Sequence, residues 1–502
     1  MKTLLLKIKQ AKLSWWFILA LVVWLGLALY GAFSDLNVSI QEGTNIYDEL
    51  RPETNYTSVV NSLKWFFGGK STGHQYLYHL TIFCLAKIFG LTGGLSFVLL
   101  GRIISIVCSI LSVISVKYFV KKNLPKHNPE SVALLQMFHP LFFFYSMQAE
   151  PYALLFFWTI LHLILYFNLQ DSRKSWQILA FGAVTILGYY THFYFLLILF
   201  AEILTELYKF LKKQKILIWP FFLLLCLMPL LFWQIPVALN SSLKYFIDGY
   251  FVFSLGLCLK IFGVLFGLTP LFFSTGAIYL LTICLFCGAW LIYFYQHKNL
   301  PVVFGFFYLL LFCAFVFVYG IFASYGFTYP TMRHYIGIIL PLTIILLSWP
   351  NKKIIIFVSL IVLSVFAITD VLLVREKYKP DGISAGNYIT GYAGSKVILL
   401  SPAWAYYSLN KVQVESKDIG IWYYSKHDLH LKYGVSINSR IEEIFSGNVM
   451  HFAHISEYVL GLDNVDTQIQ DEGLQDLLRN PAVKLIDTKE FANIKIYTFR
   501  KQ

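Results

Sequence analysis

Apolar runs close to twenty residues long, separated by short polar or basic joints, recur along this chain. A helical run of that length matches the roughly 30 Å hydrocarbon core of a bilayer. The first, WWFILALVVWLGLALYGAF, fills Trp15 to Phe33. Hydropathy places about eleven such spans. The other windows are Leu95 to Phe119, Val132 to Ser146, Tyr152 to Leu169, Ile178 to Tyr190, Phe193 to Tyr208, Ile216 to Val237, Gly276 to Tyr295, Val302 to Phe322, Tyr335 to Trp349 and Ile354 to Val374. Within lipid the backbone polar groups must bond inside the segment, so these runs form helices. With 58% hydrophobic and 13% charged residues, the chain is far from the soluble globular class, in which about a quarter of residues are charged. The expected fold class is an all-α polytopic membrane bundle of about 11 transmembrane helices, followed by a small C-terminal α/β extracytoplasmic domain.

The basic residues test that layout. Lys2, Lys7, Lys9 and Lys12 precede the first span. With that end in the cytoplasm, these clusters fall on the same side: Lys117, Lys121, Lys122 and Lys126; Arg173 and Lys174; Lys209, Lys212, Lys213 and Lys215; Lys298; and Lys352 with Lys353. This is the positive-inside bias. The first span lacks a small-residue cleavage site and reads as a retained anchor. The net charge of +13 is spread by topology rather than gathered in a basic stripe, so nucleic acid is not expected as a partner. Tyr250 to Phe273, broken by Lys260 and Pro270, reads as interfacial or re-entrant. Leu77 to Gly93, which carries His79 and Lys87, reads as an amphipathic helix on the outer surface, and Asn55 to Phe67 as a second.

The expected domains are 1–376, a transmembrane catalytic domain with its first outer loop at 34–94, and 377–502. In the second, KVILLSPAWAYYSL and KLIDTKEFANIKIYTF read as strands, while HISEYVLGL and GLQDLLRNP read as helices. All seven cysteines lie in apolar segments, so no disulfide framework is expected. The Cys284 to Cys287 CxxC sits inside an apolar helix and reads as packing. His139 and His162, also within spans, read as satisfied core residues, and Lys260 as snorkelling.

Charge is scarce, so its placement is informative. The stretch from Asp35 to Tyr78 carries Glu42, Asp48, Glu49 and Glu53 with Arg51, Lys64, Lys70 and His74. Charged groups kept near one membrane face are candidate site residues. Under this topology Glu150, His192, Lys244, Asp248, Arg333 and His334 share the outer face with that stretch. Acids and bases converging on one rim of a lipid-embedded bundle point to an enzyme whose substrate arrives through the membrane.

Local motifs extend this reading. "SIQEGT" (Ser39 to Thr44) resembles a first-loop Asp-Glu motif followed by Thr. "HQYLYHL" (His74 to Leu80) resembles a His-Pro-Pro-Leu-Tyr-Tyr run, keeping His74, Leu77 and Tyr78. "YSMQAEPYAL" (Tyr145 to Leu154) resembles Tyr-Ser-Gln-Glu-Ala-Arg-Pro-Tyr-Ala-Leu and holds Glu150 and Tyr152. "THFYFLLIL" resembles a Thr-His-Tyr run, and "RHYIGIILP" (Arg333 to Pro341) an Arg-Tyr run ending in Pro. In order and spacing, from about Ser39 to Pro341, the chain resembles the GT-C glycosyltransferases, in particular bacterial relatives of protein O-mannosyltransferases and aminoarabinose transferases of lipid A. It departs from them at Gln41, at Gln75 and Tyr76 where the family has Pro-Pro, and at Gln148 and Glu150 where the family has Glu and Arg. Asp48 and Glu49, followed by Arg51, are an alternative counterpart of the acidic pair.

The resemblance implies transfer of a sugar from a polyprenyl-phosphate donor to a hydroxyl of a lipid, glycan or protein acceptor, with inversion. Such a reaction needs a carboxylate to take the acceptor proton. It also needs cations or hydrogen-bond donors where the departing phosphate gathers charge. The resemblance puts Glu42, or else Asp48 with Glu49, in the first role. It puts Arg333 and His74, with Lys244 or Arg51, in the second. His192, Glu150, Tyr152 and Tyr78 are further candidates. No cofactor is implied, and a divalent metal is left open. The implied location is a bacterial inner membrane, with an endoplasmic-reticulum setting as the alternative. Two other classes compete. A transporter or flippase for a lipid-linked glycan calls for mid-membrane charges and inverted repeats, and the sequence reads as poor in both. An O-antigen polymerase or ligase calls for a large late outer loop, whereas the largest internal polar loop here comes first.

Overall fold

A computed structural model describes residues 14–33, 76–91, 94–125, 127–172, 174–192, 194–228, 300–308, 310–311, 361, 364–365, 382–390, 396–399, 420–423, 449–455, 474–491 and 494–502. The helices that frame the site are α1 (Trp15–Phe33), α2 (Tyr76–Ile88), α3 (Gly94–Asn123), α4 (Pro129–Met137), α5 (Pro140–Ser146), α6 (Tyr152–Asp171), α7 (Ser175–Thr191) and α8 (Phe195–Leu211). Among the described residues, α1, α6 and Ser96–Asn123 of α3 are long and apolar enough to cross a membrane. A shorter apolar helix, Trp219–Met228, lies within the expected seventh span.

Apolarity makes these helices, and local chemistry sets their ends. Ser14 caps α1, its hydroxyl accepting the Phe17 amide at 3.2 Å. The Asn128 side chain accepts the Glu130 and Ser131 amides ahead of α4, with a proline opening the helix, as suits an N-terminus whose first amides lack partners. The run expected to cross as one span, Val132 to Ser146, is instead two helices, α4 and α5. Pro140 has no amide hydrogen, and its ring excludes a continuous helix across Phe138 and His139. A break inside an apolar interior exposes carbonyls that protein groups must satisfy. Trp24 of α1 does this, donating its indole Nε1–H to the Met137 carbonyl at 2.8 Å. The indole is fully buried and packs against the rings of Phe142 and Phe143.

The helices α1, α3 and α4 pack together, and α6 lies between α3 and α7. One core runs through α1 and α3 to α8. α3 has 30 residues, about 45 Å at 1.5 Å per residue, so it is longer than the hydrocarbon core is thick. α2 packs along the first turns of α3 and also against α7, burying Tyr78, His79, Ile82, Phe83 and Ala86. A Cβ added at Gly188 would lie 2.3 Å from the Phe195 ring, so the close approach of α7 and α8 depends on that glycine.

The two ends of the bundle differ in kind. At the Ser14 end, Glu130 accepts Lys117 Nζ at 2.6 Å and the Ser14 hydroxyl and amide at 2.6 and 3.0 Å. Burial works against the Glu130 charge, but the Lys117 and Ser14 hydrogen bonds outweigh it and hold the carboxyl below its ordinary range. Lys122 pairs with Asp171 at 3.1 Å. Deeper on the same side, Glu206 accepts Tyr166 Oη, Gln170 Nε2, Lys209 Nζ and the Leu217 amide, at 2.6 to 2.8 Å.

The carboxy-terminal residues form a mixed sheet of β1 (Lys396–Leu399), β2 (Gly420–Tyr423), β3 (Val449–Ile455), β4 (Val483–Phe491) and β5 (Ile494–Lys501), in the order β2-β1-β3-β5-β4. β1 runs parallel to β2 and β3, and β5 runs antiparallel to β3 and β4. The expected strand segments cover β1 and most of β4 and β5. His454 and Ile455, which open the segment read as helical from HISEYVLGL, are instead the end of β3. A further helix, α9 (Gly382–Thr390), packs on β4 and β5. Its Tyr388 hydroxyl donates to Asp487 at 2.7 Å and meets Thr498 Oγ1 at 3.0 Å, and Thr498 also meets His451 Nδ1 at 3.0 Å. Asp487 and His451 both stand in register with Thr498, so three strands contribute to one polar row under the helix. Burial pushes His451 down to about 4, so it is neutral at physiological pH.

Candidate functional site

The polar first loop leaves α1 after Phe33 and returns at α2. Both attachments meet on one turn of α3. Arg102, fully buried, donates through Nη1 to the carbonyl of Ala32 at 2.7 Å, in the last turn of α1. The preceding residue supplies the other attachment, the Gly101 carbonyl accepting the Tyr78 hydroxyl at 3.1 Å. That hydroxyl also lies 3.3 Å from Ser105 Oγ, and Ser105 donates to the backbone carbonyl of Glu150 at 3.3 Å. Three distant segments therefore converge on residues 101–105, about 10 to 16 Å along α3 from its start. Gly101 makes the convergence possible, because a Cβ there would lie 2.8 Å from Ala149 Cβ and 3.0 Å from Tyr78 Oη.

Glu150 sits in the joint between α5 and α6 and is buried, 2% exposed. Two residues on, Tyr152 opens α6 as a buried ring, 5.1 Å from the Tyr145 ring and 5.4 Å from the imidazole of His192. His192 ends α7 in an extended conformation. Its Nδ1 accepts the Tyr194 amide at 3.2 Å, and its ring lies 4.2 Å from that of Tyr194. An accepting Nδ1 assigns the proton of the neutral ring to Nε2, which is then the donor.

Of the candidates read from the sequence, Tyr78, Glu150, Tyr152 and His192 are brought to one end of the bundle, the end that holds Ala32. Glu42, Asp48, Glu49, Arg51, His74, Lys244 and Arg333 lie outside the described residues. Arg102, Ser105 and Tyr145 join the cluster and were not among the sequence candidates. Arg102 had a legible signal, a cation inside an otherwise apolar window.

A second polar group lies nearer the middle of the bundle. His162 Nε2 meets Glu202 Oε1 at 3.0 Å, both side chains fully buried. Thr185 Oγ1 lies 3.3 Å from His162 Nδ1, and Phe181 stacks on the imidazole at 4.3 Å while Phe195 meets its edge. This accords with the expectation of a core histidine, and the partner carboxylate adds one mid-span charge that the apolar window had concealed. Among the described residues, no three His, Cys, Asp or Glu side chains gather as metal ligands.

The Ala32 end thus joins a guanidinium, a carboxylate, an imidazole and several phenols among buried apolar side chains and smaller polar ones such as Ser105 and Gln148. Such groups can move protons and stabilise developing anions. No protein-family model and no curated protein matches the sequence. Solved structures do resemble it. ArnT from Cupriavidus metallidurans in the apo state aligns over 96% of this chain and 97% of its own, with 11% identity and a TM-score of 0.53. ArnT from the same organism bound to undecaprenyl phosphate aligns over 96% and 98%, with the same identity and TM-score. The likeness is one of fold, extending over nearly the full length of both chains.

Proposed function

We propose that this chain is a multi-pass membrane glycosyltransferase of the GT-C type, carrying a sugar from a polyprenyl-phosphate donor to a hydroxyl of a lipid, glycan or protein acceptor. The observation that carries the reading is the convergence at the Ala32 end. Both attachments of the acidic first loop meet on residues 101 and 102 of α3, beside the segment of Glu150 and Tyr152. Full-length fold similarity to a protein whose structure holds undecaprenyl phosphate supports the choice of donor lipid.

In this reading the Ala32 end faces outward, and the Ser14 end, with Lys117, Lys122 and Lys209, faces the cytoplasm, as the positive-inside bias requires. The membrane is a bacterial inner membrane, and the region 377–502, with its mixed sheet, is an extracytoplasmic domain. A first-loop carboxylate, Glu42 or else Asp48 with Glu49, takes the acceptor proton as the hydroxyl oxygen attacks the anomeric carbon. The bond from that carbon to the phosphate oxygen breaks on the opposite face, inverting the configuration. The electron pair leaves with the polyprenyl phosphate, where Arg333 and His74, with Lys244 or Arg51, meet its charge. Glu150, Tyr152, Tyr78 and His192 wall the site.

The mid-span pair of His162 and Glu202 is the feature that favours a transporter instead. Among the described residues that pair is enclosed by Phe181 and Phe195 rather than opening onto the lined path that transport needs, which favours the transferase. The test is a membrane assay with radiolabelled polyprenyl-phosphate sugars, comparing wild type with Glu42→Gln, Asp48→Asn and Arg333→Ala. Loss of transfer in Arg333→Ala and in at least one acid variant is expected. Full transfer in all three would remove this site assignment, and translocation of a lipid-linked glycan without transfer would favour the transporter.

A further inference from the structure

Resting on that reading, we infer that Arg102 is a positioning residue for sugar transfer: it fixes where the acidic first loop leaves the membrane bundle. A helix leaves its last carbonyls without intrahelical partners, and in an apolar setting each needs a donor. The Ala32 carbonyl, in the final turn of α1, receives the guanidinium of Arg102 at 2.7 Å. A cation is expensive to keep at such a place, and a serine or threonine hydroxyl would serve as a mere cap. A guanidinium adds a rigid, multiply donating plane, so it holds direction as well as distance.

Its neighbours extend the effect. The Gly101 carbonyl accepts the hydroxyl of Tyr78, four residues after His74, and Ser105, one turn on, donates to the Glu150 carbonyl. One turn of α3 therefore sets the start of the loop bearing Glu42 and Asp48, the return of that loop, and the segment of Glu150. Reacting groups misplaced by about 1 Å lose on the order of a hundredfold in rate, so loosening the Arg102 contact acts on turnover more than on donor affinity.

The test uses the full chain in lipid nanodiscs, with wild type, Arg102→Ala, Arg102→Lys and Tyr78→Phe. Transfer from a polyprenyl-phosphate sugar is measured as kcat and donor KM. In parallel, spin-label distances are measured between Asn45→Cys and Leu111→Cys in a cysteine-free background. Arg102→Ala is expected to lower kcat by about a hundredfold, with donor KM within about twofold, and to broaden the distance distribution. Arg102→Lys, which keeps a donor but not the guanidinium plane, is expected to recover only part of the rate, and Tyr78→Phe to show a smaller loss than Arg102→Ala. Folded Arg102→Ala with wild-type kcat and an unchanged distribution overturns the inference. If that variant does not fold, unchanged kcat and distances in both Arg102→Lys and Tyr78→Phe overturn it. If wild type transfers no sugar yet the distribution broadens in the Arg102 variants, the functional reading fails and the positioning role stands.

Discussion

Among the described residues at the Ser14 end of the bundle, lysine meets carboxylate three times, in Lys117 with Glu130, Lys122 with Asp171 and Lys209 with Glu206. At the Ala32 end the fastening runs through backbone. Arg102 holds the Ala32 carbonyl, Tyr78 the Gly101 carbonyl, Ser105 the Glu150 carbonyl, and His192 the Tyr194 amide. Ion pairs tie helices together and neutralise their charges in the same act. Backbone anchors instead fix where the main chain of a segment sits, whatever side chains that segment carries.

The contrast is broken most severely at Glu206. Its carboxylate takes four donors, one of them the buried Lys209. Removing it in Glu206→Ala strands a cation and is expected to cost about 3 to 5 kcal/mol. Thermal unfolding in detergent reads this directly, and a change under about 1 kcal/mol would mean that the cluster is not structural.

Glu130→Gln sharpens the comparison at intermediate size, with an expected loss of about 2 kcal/mol. Glu130 ionises more readily folded than unfolded, so its contribution is complete above the ordinary value of 4.5. It fades as pH falls through the lower folded value. Wild type should therefore lose stability on acidification in a window that Glu130→Gln lacks, and superimposable acid limbs would count against the pair.

At the opposite end, His192→Ala removes the acceptor of the buried Tyr194 amide and is expected to cost about 1 to 3 kcal/mol. Its rate of sugar transfer should fall roughly tenfold or more. A stability loss with no loss of rate per folded molecule would place His192 with the structural residues. Smallest of all, Lys122→Ala removes a pair whose side chains are 35% and 67% exposed. Less than about 1 kcal/mol should be lost, and a larger drop in unfolding temperature would show that exposed pairs matter here.

Much of this was legible in the residues. The bounds Trp15 to Phe33 follow from an uninterrupted apolar run, and α3, α6, α7 and α8 begin and end within a few residues of their windows. The break at His139 and Pro140 was written in the proline, but averaged hydropathy continues across it. What makes the break tolerable, the Trp24 indole on Met137, is a contact between residues more than a hundred positions apart. Arg102 and Glu202 were submerged in apolar windows in the same way. Tyr78, Glu150, Tyr152 and His192 were found through motif and position. The meeting of Tyr78 and the Glu150 backbone on one turn of α3 depends on Gly101 admitting Ala149 and Tyr78, which no local pattern announces. Glu42, Asp48, Glu49, Arg51, His74, Lys244 and Arg333 rest on the sequence and its resemblance alone.

The most direct measurement sets one glutamate from each end against the other in the same membrane preparation. Transfer from a radiolabelled polyprenyl-phosphate sugar is measured per folded molecule for Glu150→Gln and Glu130→Gln. At least a tenfold loss is expected for the first, and a rate near wild type for the second. Equal rates in the two, or loss confined to Glu130→Gln, would contradict a reaction site at the Ala32 end.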